Sequence, residues 1–326
     1  MKIVFFGTPL FAAYNLEYLY KKNIEITAIV SAPDKKKGRG KKIISTNVKT
    51  KGIELGIKVM TPNSLKESTF ISELKSLKAD LFVVVAFRML PKEIWKIPKT
   101  GTINLHTSLL PNYRGAAPIN RVLINGEKET GITTFFIDEK IDCGEILEQE
   151  KINLSQDITA GQLHNILMLK GSKLLYNTIT NIKNQNILTT VQDNNLALKE
   201  APKLKKETSK INWNKSANQI HNLIRGLSPF IDKDVTLKEV SICPGAWFVF
   251  HNNEGKEIRT KILLSKLYSY TNNKIGSMET DNKTFLKINL IQGSIDIQKL
   301  QIAGKNPLNI SQFLLGNKLN DTWKIS

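Results

Sequence analysis

Along the first half of the chain, short runs that are apolar at nearly every position alternate with segments whose apolar residues recur at helical spacing. The runs cover residues 3–6, 26–30, 81–86, 102–105 and 133–137, with helical material such as 65–77 between some of them. A strand that is apolar throughout suits a parallel sheet buried on both faces, since a strand with one wet face would alternate. Gly7-Thr8-Pro9 turns the first run into a helix, with Thr8 as its N-cap and Pro9 at the first helical position. The pattern predicts an α/β fold on a doubly wound, mostly parallel sheet with right-handed crossovers. Ligands of such sheets sit beyond the carboxyl ends of the strands, so chemistry is sought just after residues 6, 30, 86, 105 and 137.

Residues 161–182 carry Leu163, Ile166, Leu167, Leu174 and Leu175 on one helical face, with Thr159 as the cap. This helix is expected to close a first domain of residues 1–187. Residues 188–207 then run through Gln192-Asp193-Asn194-Asn195 to Lys199, Lys203, Lys205 and Lys206 without periodicity, which reads as a basic linker. In residues 208–326 an amphipathic stretch, 216–225, precedes β-like runs at 246–250, 260–267, 285–291 and 295–302. That order predicts a small barrel or sandwich.

Composition narrows the partners. The 326 residues are 41% hydrophobic and 23% charged with 11 prolines, which excludes collagenous, mucin-like and low-complexity chains. A net charge of +18 favours a polyanion: nucleic acid, an anionic membrane or a phosphorylated substrate. Lys-rich codon usage would raise the charge as well. Cys143 and Cys243 form no CxxC, and the four histidines show no HExxH, so neither a disulfide framework nor a metal site is expected and the compartment reads as reducing. The N-terminal apolar run is too short for a secretory signal. The longest apolar run, 81–87, falls far short of the roughly 20 residues that span a bilayer, so a soluble chain is expected. Gly7-Thr8-Pro9 supplies one glycine where GxGxxG needs three, and GxxxxGK[ST] is absent, which argues against NAD or ATP binding.

Polar chemistry concentrates in the segment from Gly101 to Pro118. Asn104 and His106 are two apart, so on a strand their side chains share a face and could converge on one small group. An amide donor beside an imidazole suits stabilisation of an oxyanion in acyl transfer. An isolated Asn-x-His is more often a turn-capping Asn beside a satisfied core histidine. Asp142, in the polar loop 138–145, is expected at the same edge of the sheet because that loop follows the run 133–137. There its carboxylate could hold the His106 tautomer and its cationic form. A second polar segment, 34–42, holds six basic residues in nine positions: Lys35, Lys36, Lys37, Arg39, Lys41 and Lys42.

Together these residues resemble the methionyl-tRNA formyltransferase family. The resemblance begins at Phe5-Phe6-Gly7-Thr8-Pro9, passes through Ala32-Pro33-Asp34 and Gly38-Arg39-Gly40-Lys41-Lys42, and centres on Asn104-x-His106-x-Ser108-Leu109-Leu110-Pro111 with Arg114-Gly115-Ala116-Ala117-Pro118. It continues to Asp142 and ends in Ala303-Gly304-Lys305. It implies a formyltransferase-type, Rossmann-like catalytic domain and a smaller β-rich, OB-like C-terminal domain that binds tRNA. The donor would be 10-formyltetrahydrofolate and the acceptor the amino group of methionyl-initiator-tRNA, with no metal required. By similarity Asn104 and His106 stabilise the oxyanion, Asp142 holds His106 and helps remove the amine proton, and Ser108, Leu109, Leu110 and Pro111 wall the folate site. Lys35, Lys36, Lys37, Arg39, Lys41 and Lys42 would meet the acceptor end of the tRNA, Arg39 beside the first base pair. The resemblance further implies a cytoplasmic monomer.

Three departures accompany the match. Ala86-Phe87-Arg88 stands where the family commonly has Ala-Tyr-Gly, in a loop that borders the folate pocket. Asp142-Cys143-Gly144 replaces Asp-Thr-Gly. Residues 231–243 intervene before Pro244-Gly245-Ala246-Trp247, as a surface insertion. The rival readings are a sister formyltransferase acting on a purine nucleotide or nucleotide sugar, and a noncatalytic tRNA-binding translation factor.

Overall fold

A computed structural model describes the chain apart from residues 38–41, 194–198, 233–234, 238–241, 253–254, 271–273 and 321, and apart from the side chains of Lys36, Lys37 and Lys42. Two compact units are present. One comprises Met1–Arg114, Gly131–Ile152 and Asn165–Lys199, and the other Gly115–Thr130, Asn153–His164 and Glu200–Ser326.

In chain order the elements are β1 (Ile3–Gly7), α1 (Leu10–Lys21), β2 (Ile26–Val30), β3 (Lys35–Lys37), β4 (Lys42–Ile44), α2 (Asn47–Glu54), β5 (Lys58–Met60), α3 (Ser68–Ser76), β6 (Leu81–Val85), α4 (Lys92–Trp95) and β7 (Gly101–His106). They are followed by α5 (Pro118–Ile124), β8 (Glu129–Phe136), β9 (Ile146–Asn153) and α6 (Ala160–Lys183). The first unit is built on a sheet of order β5-β2-β1-β6-β7-β8-β9. From β5 to β7 every pairing is parallel. The chain builds outward from β1 to β2 and β5, then resumes on the other side with β6 and β7, so the strand order reverses between β1 and β6, where such folds take their ligands.

β1 and β6 are buried at every position, as their unbroken apolar runs require. Val4, Phe6, Ala28, Val30, Phe82 and Val84 pack beneath Phe70 and Leu74 of α3 and Ile94 of α4. Burial of each large side chain contributes about 1.5–3 kcal/mol. Helix α1 starts one residue later than predicted: Pro9, at ψ 179°, is extended and serves as the N-cap, and no side chain caps the helix. The basic segment read as a loop is partly a β-ribbon, since Lys35–Lys37 pairs antiparallel with Lys42–Ile44. Ile43 and Ile44 are exposed, so the ribbon is not held by burying them in a core. Thr159 caps α6 as predicted. Its hydroxyl accepts from Gln162 N at 3.1 Å while Gln162 Oε1 accepts from Thr159 N at 3.0 Å.

In the second unit follow α7 (Ala217–Leu227), β10 (Ala246–His251), β11 (Glu257–Tyr268), β12 (Met278–Thr280), β13 (Leu286–Leu290), β14 (Gly293–Ile302), β15 (Leu308–Asn309), α8 (Ile310–Gly316) and β16 (Lys324–Ile325). An antiparallel sheet runs β12-β13-β14-β11-β10-β16, with β15 on β14. Register shifts in β11 on both sides of Leu264 bend the sheet into a half-barrel. Its hollow is filled by Phe248 and Phe250 together with Ile220, Ile224 and Leu227 of α7 and Phe313 of α8. The insertion 231–243 is not wholly on the surface. Leu237 and Cys243 are buried, and the Ile242 carbonyl accepts from Asn120 Nδ2 at 2.8 Å.

Candidate active site

Asn104 and His106 occupy alternate positions of β7 and so share a face, as their spacing predicts. His106 is 7% exposed and its ring stands edge-on to Phe135 of β8 at 6.4 Å. Nε2 lies 2.9 Å from the Tyr113 carbonyl oxygen. A carbonyl only accepts, so Nε2 carries a proton, and Nδ1 is the nitrogen left to face Asp142, whose Oδ2 is 3.8 Å away. That separation exceeds a direct hydrogen bond.

The route that brings Asp142 there differs from the expected one. β8 runs antiparallel to β7, with His106 opposite Thr133 and Ile103 opposite Phe136. The carboxyl end of β8 therefore lies level with the start of β7, and Ile137 N donates to Thr102 O at 2.7 Å. The loop after β8 begins at the opposite end of the strand from His106 and folds back to reach it. Asp142 adopts φ +53° in that return. Gly144 follows because a Cβ there would sit 1.8 Å from the Phe136 carbonyl oxygen.

Gln192 holds the return in place. Its Nε2 donates to the carbonyls of Asp142 at 3.0 Å and Gly144 at 2.7 Å, while its Oε1 accepts from Arg114 Nε at 3.1 Å and Nη2 at 2.6 Å. The side chain is 3% exposed. This residue falls within the stretch read as a linker. Instead Thr190 exchanges both backbone hydrogen bonds with Ile146, and the Lys199 carbonyl accepts from Tyr113 N. The β-branched run ahead of Gln192, from Ile187 to Val191, is the signal that could have marked an ordered strap.

A second buried hub underlies the motif after β7. Thr133 Oγ1 donates to the Ser108 carbonyl at 2.7 Å and accepts from Leu110 N at 3.2 Å and Gln149 Nε2 at 2.9 Å. Ser108 is buried, and its hydroxyl donates to Asn112 O at 2.7 Å, closing the turn. Leu110 packs with Phe135 and Ile146, whereas Leu109 and Pro111 keep part of their surface open. Of the four residues expected to wall the folate, Leu109 and Pro111 thus have side-chain surface to offer, and Ser108 and Leu110 shape the turn that presents them.

The loop after β6 is anchored despite its unusual sequence. Arg88 donates from Nη2 to the Pro62 carbonyl at 2.6 Å and from Nη1 to the Asn63 carbonyl at 3.0 Å, joining the loops that follow β5 and β6. Phe87 stands edge-on to Phe6 at 5.7 Å. Cys143 is a free thiol, and burial pushes its pKa up, so it is neutral beside Asp142. Of the expected tRNA contacts, Lys35 is exposed on the ribbon; Arg39, Lys41 and the side chains of Lys36, Lys37 and Lys42 lie outside the described residues.

Residues 1–179 match the family described as formyl transferase, and residues 203–318 its C-terminal domain. The chain is 42% identical over 329 residues to the methionyl-tRNA formyltransferase of Flavobacterium johnsoniae, covering 100% of this chain and 99% of the relative. The chain belongs to the methionyl-tRNA formyltransferase family. It is also 37% identical to the family member of Bacteroides thetaiotaomicron, with 100% and 98% covered. Among solved structures, the fold is shared with an N-formyltransferase from Helicobacter canadensis in complex with folinic acid and dTDP-3-aminofucose, at TM-score 0.65 and 24% identity over 91% of this chain and 98% of that one. The sugar 3N-formyltransferase WlaRD, crystallised with dTDP and 5-N-formyl-THF, gives TM-score 0.63 at 22% identity, covering 94% and 99%. The groups gathered here, the amide of Asn104, the imidazole of His106 and the carboxylate of Asp142, are of the kind that can donate to an oxyanion and accept a proton. No helix of the described residues is long and apolar enough to cross a membrane.

Proposed function

We propose that this chain transfers the formyl group of 10-formyltetrahydrofolate to the free amino group of methionyl-initiator-tRNA, giving the N-formylmethionyl-tRNA used to start translation. The reading is carried by identity to methionyl-tRNA formyltransferases along the whole chain, the C-terminal domain included. The donor supplies an activated formyl carbon; the bond from that carbon to N10 breaks as the bond to the methionine nitrogen forms. As the amine attacks, charge gathers on the formyl oxygen, and the Asn104 carboxamide and the His106 ring are the donors that meet it. With Nε2 committed to Tyr113, His106 can donate toward the oxyanion only from Nδ1, which requires the doubly protonated ring. Asp142 is the carboxylate that pairs with this form. The same carboxylate accepts the proton released by the attacking amine, which finally replaces the formyl group on the folate nitrogen.

Leu109 and Pro111, set by Ser108 and Leu110, form the apolar wall for the folate ring. Lys35, Lys36, Lys37, Arg39, Lys41 and Lys42 neutralise phosphates at the acceptor end of the tRNA. In domain terms, residues 1–187 are catalytic, 188–207 carry a basic connection and 208–326 bind the tRNA arm through an OB-like domain. A cytoplasmic monomer is the corresponding physiological form. Single-turnover transfer from 10-formyltetrahydrofolate to charged initiator tRNA tests the reading, with a purine ribonucleotide amine and a dTDP-amino sugar as competing acceptors. Formylation of either small acceptor in preference to the tRNA would favour a sister enzyme. tRNA binding without any formyl product would mean a noncatalytic factor.

A further inference from the structure

We infer that Gln192 is a positioning residue for transfer, acting through the backbone that carries Asp142; this rests on the proposed role of Asp142 beside His106. The loop after β8 starts at the far end of β7 and must return over the strand, so its sequence neighbours do not place Asp142 where the chemistry needs it. Gln192 supplies that placement from a point 50 residues further along the chain. Both of its amide hydrogens are spent on the carbonyls of Asp142 and Gly144, which orients the Asp142–Cys143 and Gly144–Glu145 peptide planes. On its other side, the Arg114 guanidinium grips the single carboxamide oxygen with two N–H groups. Arg114 leaves the same motif whose Tyr113 carbonyl orients His106.

One buried amide therefore ties the segment that orients the imidazole to the turn that holds the carboxylate. Only a carboxamide can do this, because donors are needed toward the turn and an acceptor toward Arg114. A displacement of about 1 Å at a catalytic group costs on the order of 100-fold in rate, so the link has kinetic consequence out of proportion to its size.

The test uses the full-length enzyme with 10-formyltetrahydrofolate and charged initiator tRNA, comparing Gln192→Met, Gln192→Glu and Asp142→Asn. Gln192→Met keeps the volume and loses every polar contact. Gln192→Glu keeps the grip of Arg114 but turns both donors into an oxygen facing two carbonyls. The expected result is a fall in kcat of about 10–100-fold for both, larger for Glu, with KM for tRNA within about threefold of wild type. Thermal melts report folding, and should Gln192→Met fail to fold, Gln192→Glu still reads the contact to the turn. A wild-type kcat in Gln192→Glu beside a reduced one in Gln192→Met would mean that the Arg114 contact alone matters and would overturn the inference. So would a loss confined to KM. Wild-type rates in both Gln192 variants beside a crippled Asp142→Asn overturn the role of Gln192 alone, whereas a wild-type rate in Asp142→Asn overturns the reading of the site on which it stands.

Discussion

His106 donates from Nε2 to the Tyr113 carbonyl at 2.9 Å, and this one hydrogen bond decides which face of the imidazole is available for chemistry. Tyr113 itself sits at φ +61°. Nδ1 is thereby left toward Asp142, whose Oδ2 lies 3.8 Å away.

Asp142→Asn keeps the shape of that pair and removes its charge. Transfer should fall by about 10²–10⁴-fold, the range for loss of a general acid–base group. KM for tRNA should stay near the wild-type value. Steady-state kinetics at saturating donor check this, and a large loss of tRNA binding instead would place Asp142 in recognition rather than chemistry.

Thr133→Val is nearly isosteric and strips the hub beneath the turn that follows β7. It leaves the buried Ser108 carbonyl and Leu110 N–H without their partner, at a cost of about 1–3 kcal/mol. Denaturant unfolding should show that loss, and Thr133→Ser, which keeps the hydroxyl, should recover most of it. A wild-type unfolding midpoint in Thr133→Val would show that the hydroxyl contributes nothing to stability.

Arg39→Ala should weaken use of the tRNA substrate while leaving transfer at saturating tRNA little changed. If Arg39 neutralises a phosphate, the log–log salt dependence of tRNA binding should flatten by about one unit. An unchanged slope and an unchanged KM would remove Arg39 from the tRNA surface.

Stability should fall on mild acidification through His221. This residue is 2% exposed, with Nδ1 3.0 Å from Ser265 Oγ and Nε2 3.1 Å from Asp157 Oδ1. Burial depresses its pKa below the ordinary value of 6.5, assisted by the cationic Arg225 and opposed by the Asp157 carboxylate. A base whose folded pKa is depressed contributes stability that is fully present above the unfolded pKa and is lost as pH falls through the folded one. Melting temperature should therefore be flat above about pH 6.5 and decline below it, and His221→Gln should flatten the decline. A decline that persists unchanged in His221→Gln would assign it to another group.

Much of this protein can be read from local pattern. The strands of the parallel sheet are legible because a strand buried on both faces must be apolar at each position, as β1 and β6 are. The starts of α6 and α7 are legible because Thr159 with Gln162 and Ser216 with Gln219 satisfy helix N–H groups within one turn. The pairing of Asn104 with His106 needs only the two-residue repeat of a strand. Tertiary structure decided what depends on partners far along the chain. The antiparallel run of β8, the return of Asp142 to His106 and the partners of Gln192 have no local signature, because each is fixed by pairing between segments tens of residues apart. A polar residue in an aperiodic stretch looks like linker until the carbonyls it must satisfy are known, and those of Asp142 and Gly144 are brought to Gln192 only by the folded chain.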